Sequence, residues 1–192
     1  RVFYASETGC PSTLHGNLHR GELNVLLYGM AHKLDVHTVY VERLRDLLQR
    51  ASTDYTVSVS TAVHEGSPWD ETFQKTETNL RKVFGDHLRV LGYLADDALA
   101  KELHECSAVA LFFDPAARVN NTSLWAAMEA GCPVITNLDA SSPPELVHDE
   151  TVFDLSRLTD WPDRREALQV GRTGRLAVEG RSWERLIEML RA

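Results

Sequence analysis

Short apolar runs alternate with amphipathic stretches along most of the chain. Leu23 to Tyr28 is a buried-strand pattern that stops at Gly29, and His37 to Arg50 then sets Val41, Leu44, Leu47 and Leu48 on one helical face. Tyr55 to Ser60 is the next strand, and Asp70 to Phe84 is a helix with Phe73, Leu80, Val83 and Phe84 on one side. A strand at His87 to Leu91 precedes a helix that Asp96 or Asp97 can cap, with Leu99, Leu103 and Cys106 as its apolar stripe. Ala108 to Phe113 is apolar throughout, as a central parallel strand is.

Ser123 to Ala130 predicts a thin helix, whose spacing sets Leu124, Ala127, Met128 and the following Gly131 toward the core, and then a strand from Pro133 to Thr136. A short helix near Pro144 to Val147, a strand at Thr151 to Leu155 and two helices, Asp163 to Gln169 and Ser182 to Arg191, complete the pattern. Strands and helices in strict alternation predict a doubly wound, Rossmann-like α/β fold with a parallel sheet. Ligands of such sheets bind beyond the carboxyl ends of the strands, which singles out the loops 29–37, 61–70, 92–97, 114–123 and 137–145.

Composition narrows this further. A chain of 192 residues with 43% hydrophobic and 25% charged residues suits one sizeable globular domain, or two very small ones. A net charge of −8 disfavours a general nucleic-acid or anionic-membrane binder. No apolar run approaches the ~20 residues of a transmembrane segment. The chain begins at Arg1 rather than Met, so a fragment or processed product is expected, and nothing at its start resembles a signal peptide. Three cysteines cannot make a disulfide framework, and Cys106 and Cys132 read as small core residues, which fits a cytoplasmic protein. Cys10, His15 and His19 are separated by Pro11 and Gly16, so a loop is the better reading and no metal site is expected.

Two stretches carry candidate chemistry. Residues 3 to 10, FYASETGC, look like the phosphate loop of flavodoxins, but Pro11, Gly16 and Gly21 interrupt the helix that such a loop needs. Residues 1–22 therefore read as a lead-in or interdomain linker. The second stretch is NNTSLWAAMEAGCPVIT, whose crowded polar front precedes a slim, alanine-rich helix. Free amides at a helix N-terminus favour phosphate, and Arg118, Asn120, Asn121, Thr122 and Ser123 are placed to add donors. The alternative is a loop whose Asn and Ser only cap the helix.

From about Asn24 onward the chain resembles the C-terminal, donor-binding domain of GT-B glycosyltransferases of the GT4-like group. LNVLLYG, RVLGYLADDALAKELHECSAVALFF, SLWAAMEAGCPVIT, SPPELVHDETVFDL and SWERLIEML match its strands, turns and helices in order. The resemblance implies that residues 23–192 form a nucleotide-sugar-binding Rossmann-like domain, one half of a GT-B fold whose N-terminal acceptor-binding domain lies elsewhere. It implies a nucleotide-diphosphate sugar as substrate, with no cofactor and no metal, and glycosyl transfer to an acceptor.

It also implies a donor site near Gly29, His64, Glu65, Tyr93 and Glu145, with Tyr93 close to the base; the Arg and Lys usual after the group's first strand are displaced, which leaves Lys33 as the phosphate-binding candidate. Lys33 reads equally as a surface lysine, Tyr93 as a half-buried strand-end residue, and His64 and Glu65 as loop residues. The group's E-x7-E signature is degenerate here, because Arg118 and Ala126 stand where the two carboxylates are usual. Glu129, one turn beyond Ala126, is the substitute candidate, against a plainly solvated Glu. A non-catalytic GT-B-like domain, used for binding or assembly, is the alternative function.

Overall fold

The computed structural model describes residues 23–29, 38–61 and 71–179. The lead-in segment with its flavodoxin-like stretch, the Cys10, His15 and His19 trio, the expected C-terminal helix, and the candidates Lys33, His64 and Glu65 lie outside these residues.

Six parallel strands form one sheet in the order β3-β2-β1-β4-β5-β6. They are β1 (Leu23–Gly29), β2 (Tyr55–Thr61), β3 (Leu88–Gly92), β4 (Ala108–Leu111), β5 (Val134–Thr136) and β6 (Phe153–Asp154). The helices are α1 (Thr38–Ala51), α2 (Glu71–Phe84), α3 (Asp96–Glu105), α4 (Thr122–Glu129) and α5 (Arg164–Val178). This is the doubly wound order, which runs outward from β1 in one direction, returns, and runs outward from β4 in the other.

Alternation along β1 divides the core. Val25 and Leu27 join Val41, Leu44, Leu47, Leu48, Leu80 and Phe84 on the face covered by α1 and α2. Leu26 and Tyr28 join Leu103, Leu124, Ala127, Met128 and Cys132 on the face covered by α3 and α4. The expected apolar stripes of α1 and α4 are thus buried where the helical period places them, as are Phe73, Leu80 and Phe84 of α2 with Val83 half-buried, and Leu99 and Cys106 pack half-buried beside Leu103.

Four expectations are corrected. Neither Asp96 nor Asp97 caps α3: its N-cap is Ala95, and the Asp97 carboxylate accepts only from the adjacent Ala98 N–H, at 2.9 Å. Both aspartates instead lie in the first turn, where negative charge suits the helix dipole. Residues 144–147 form a turn closed by Leu146 N–H to Pro143 O at 3.0 Å, not a helix. The final strand shrinks to Phe153–Asp154, because His148 Nδ1 accepts the Asp154 N–H and the Asp154 carboxylate starts the next turn through Ser156.

The fourth correction concerns α5, which does not stop at Gln169 but runs to Val178. Asp163 and Glu166 start it with a reciprocal capping box at 2.8 and 3.0 Å. Gly171 then lets it lie flush on the Gly131–Cys132–Pro133 turn after α4, and Gly174 on the Thr151 backbone. A Cβ at Gly171 would fall 2.4 Å from Gly131 O, and one at Gly174 would fall 2.5 Å from Thr151 O. These glycines are contact points rather than helix ends.

Candidate functional site

The strand order reverses between β1 and β4, so the crevice of this sheet lies at their carboxyl ends. Their ladder joins Val25 to Ala108 and Leu26 to Val109, whereas β1 continues to Gly29 and β4 to Leu111. Gly29 ends β1 at φ 135°, a conformation that side-chain-bearing residues rarely adopt. No described atom lies within 4 Å of where its Cβ would be, so backbone conformation and not space calls for glycine.

Tyr28, one residue earlier, ties the crevice together: its hydroxyl donates to Ser123 O in the first turn of α4. Burial pushes this phenol well above its ordinary pKa, helped by the nearby Cys132 and Cys106. It stays a protonated donor and fixes the N-terminus of α4 against the end of β1.

The loop from β4 to α4 is held by a single buried side chain. Asn137, at the end of β5, accepts the Phe113 N–H at 2.9 Å and donates to Phe113 O at 2.8 Å and Pro115 O at 3.0 Å. Its own carbonyl accepts the Ala117 N–H at 3.0 Å. Buried Asn137 thus specifies the backbone course from 113 to 117 through its side-chain amide and its main-chain carbonyl. Trp125 continues the fixation by donating to Val119 O at 2.8 Å.

The polar front of α4 does not cap it. Asn121 is the N-cap residue, yet its side chain makes no cap bond and instead accepts from Arg118 N–H. Asn120 is exposed and gives its carbonyl to Thr122 N–H at 3.1 Å, while Asn121 O takes the amides of Leu124 and Trp125. Ser123 N–H meets no acceptor among the described residues. Thr122 itself is exposed. The reading of this cluster as simple side-chain caps is therefore replaced by a shaped loop with an uncapped helix end.

Arg118 forms a two-pronged ion pair with Asp139, Nη1 to Oδ1 at 2.9 Å and Nη2 to Oδ2 at 2.7 Å. The carboxylate keeps the guanidinium charged, and the guanidinium in turn draws the Asp139 carboxyl below its ordinary value. This pair clamps the 114–121 loop to the 137–142 loop.

The other candidates are spread wider. Tyr93 follows β3 at the sheet edge and is 54% exposed, two strands from β1. Glu129 sits in the last turn of α4, about 9 Å along the axis from Ser123 at a helical rise of ~1.5 Å per residue. There it faces Arg175 of α5, whose charge opposes the upward push of burial on its carboxyl. Glu145 is half-buried in the 143–146 turn and offers its carbonyl to the Thr151 hydroxyl at 2.6 Å.

Tyr28, Asn137 and Asp139 are absent from the residues expected from the sequence. Each follows directly from position: Tyr28 precedes the terminal Gly of β1, and Asn137 and Asp139 open the loop after a parallel strand. No group of three or more metal-binding side chains gathers among the described residues, and no described helix is long and apolar enough to cross a membrane.

Solved structures share this architecture. The C-terminal domain of a glycosyl transferase group 1 family protein from Francisella tularensis matches 83% of this chain and 85% of its own, with TM-score 0.60 and 19% identity. The likeness is one of fold. A sucrose-phosphate synthase from Thermosynechococcus elongatus matches at TM-score 0.65 and 17% identity over 88% of this chain, and a Rickettsia africae glycosyltransferase at 0.54 and 10% over 82%. This chain spans 44% and 42% of those two chains, so it corresponds to less than half of each. No family model and no curated protein matches the sequence. The six-stranded sheet is thus a Rossmann-like domain of the kind found in glycosyltransferases, as the resemblance to one half of a GT-B fold implies.

Proposed function

We propose that this chain is the nucleotide-sugar-binding half of a glycosyltransferase, working with an acceptor-binding domain to transfer a glycosyl group. The observation that carries the proposal is the uncapped N-terminus of α4, fixed by Tyr28 to the carboxyl end of β1 at the point where the strand order reverses. A diphosphate at that crevice gains the helix dipole, the open Ser123 N–H and, beside them, Arg118. Lys33 is the second cation of the proposed phosphate site, joined by Asn120, Asn121, Thr122 and Ser123.

The spacing of the strands supports the placement proposed for the rest of the donor. Neighbouring strands lie about 4.8 Å apart, so the end of β3 is roughly 10 Å from that of β1. That separation suits a diphosphate at β1 and a base beside the exposed ring of Tyr93. His64, Glu65, Glu129 and Glu145 complete the proposed surroundings of the donor. Stabilisation of the leaving diphosphate by helix end and cations is the chemical contribution of this half.

A non-catalytic binding or assembly role is the second reading, favoured by one feature: Arg118 and Ala126 replace the two carboxylates of the signature, and Arg118 is already paired with Asp139. Titration with UDP-, GDP- and dTDP-sugars tests donor binding. Transfer assays on the full-length protein then separate the two readings, since the second predicts no turnover. Lack of saturable donor binding at millimolar concentration refutes the first.

A further inference from the structure

The Arg118 guanidinium has five N–H donors, and three of them are accounted for. Nη1 donates to Asp139 Oδ1 and to Ala117 O, both at 2.9 Å, and Nη2 donates to Asp139 Oδ2 at 2.7 Å. The carboxylate thus takes the end-on edge of the fork. What remains is the side-on edge, Nε–H with the second Nη2–H, which meets no acceptor among the described residues. That edge is the other geometry in which a guanidinium grips a phosphate through two parallel bonds.

Asp139 is itself held by its own turn and does not follow the arginine. Its Oδ1 accepts from Ser141 N–H at 2.8 Å, its N–H donates to Ser142 Oγ at 3.0 Å, and its carbonyl accepts from Ser142 N–H at 3.1 Å. The side chains are 28% and 38% exposed, a setting in which an ion pair adds little to stability. A long, rotamer-rich side chain is nevertheless held in one orientation from two loops of the crevice.

We infer that Asp139 is a positioning residue for Arg118, holding its end-on edge so that the side-on edge is presented to a phosphate oxygen pair of a nucleoside diphosphate. The inference rests on the proposed role of Arg118 at the donor phosphates. Asp139 also subtracts charge from the site, so its benefit comes from ordering the guanidinium before the ligand arrives. A carboxylate that merely competed with the ligand would act with the opposite sign.

The test is calorimetric titration of the whole chain with UDP, GDP and dTDP, for wild type, Arg118→Ala, Asp139→Asn and the double variant, with thermal midpoints measured alongside. Asp139→Asn is expected to raise Kd about two- to tenfold with little change in midpoint, and to have no further effect once Arg118 is alanine. Should Asp139→Asn lower the midpoint, Asp139→Ser keeps an acceptor for the turn and must show the same loss of affinity.

Unchanged or tighter binding by both Asp139 variants overturns the inference, as does an equal loss in the Arg118→Ala background. Wild-type binding that is insensitive to Arg118→Ala also overturns it while leaving donor binding by this domain intact. Absence of saturable binding in wild type and all variants removes the donor-binding reading itself, and the inference with it.

Discussion

On one face of the sheet Val25 and Leu27 meet Leu44, Leu47 and Leu48, and on the other Leu26 and Tyr28 meet Leu124, Ala127 and Met128. The first face is filled by branched side chains from α1 and α2. The second is built for close approach: α4 is slim, and α5 comes down on the Gly131–Cys132–Pro133 break through Gly171 and on the Thr151 backbone through Gly174. One face gains stability from volume. The other holds a short helix at a defined place, with its N-terminus at the crevice.

The two faces should therefore fail in opposite ways. Leu44→Ala removes buried volume from the first and is expected to cost about 2–5 kcal/mol in urea unfolding. Gly171→Ala adds a single carbon to the second, against the backbone of Gly131 and Pro133, and is expected to cost about 1–3 kcal/mol. If Gly171→Ala is neutral or stabilising, close approach is not what holds α4.

Asn137→Ala strands the buried Phe113 amide and carbonyl, for about 1–3 kcal/mol. Unlike Leu44→Ala, it should also weaken nucleoside-diphosphate binding among molecules that remain folded, because it loosens the loop beside α4. Equal affinities for the two variants would separate that loop from the site. The smallest effect is expected at Asp163→Ala, where loss of the α5 cap costs about 1 kcal/mol and leaves binding unchanged.

The volume-filled face was the easier to read from sequence. A helical period carries its own evidence, and Val41, Leu44, Leu47 and Leu48 are all buried as that period predicts. Strand patterns and alternation gave the parallel sheet for the same reason. The close-approach face depends on contacts between distant segments, which no local pattern encodes. Gly171 and Gly174 look like ordinary helix weakeners until Gly131 O and Thr151 O are seen beside them.

The candidate site divides in the same way. Its location at the α4 N-terminus followed from the polar front and the Gly131–Cys132–Pro133 break. The partners that shape it, Tyr28, Asn137 and Asp139, lie on other strands and loops. Asn121 shows the limit most plainly: residue type suggested a cap, and its side chain instead folds the loop back onto Arg118.

The most direct test of donor binding at the α4 end is titration of the chain with UDP-, GDP- and dTDP-sugars, comparing wild type with Arg118→Ala. Saturable binding is predicted for at least one donor, weakening with added salt and falling about tenfold or more in Arg118→Ala. No saturable binding of any donor at millimolar concentration, or binding untouched by Arg118→Ala, would contradict the placement of the diphosphate there.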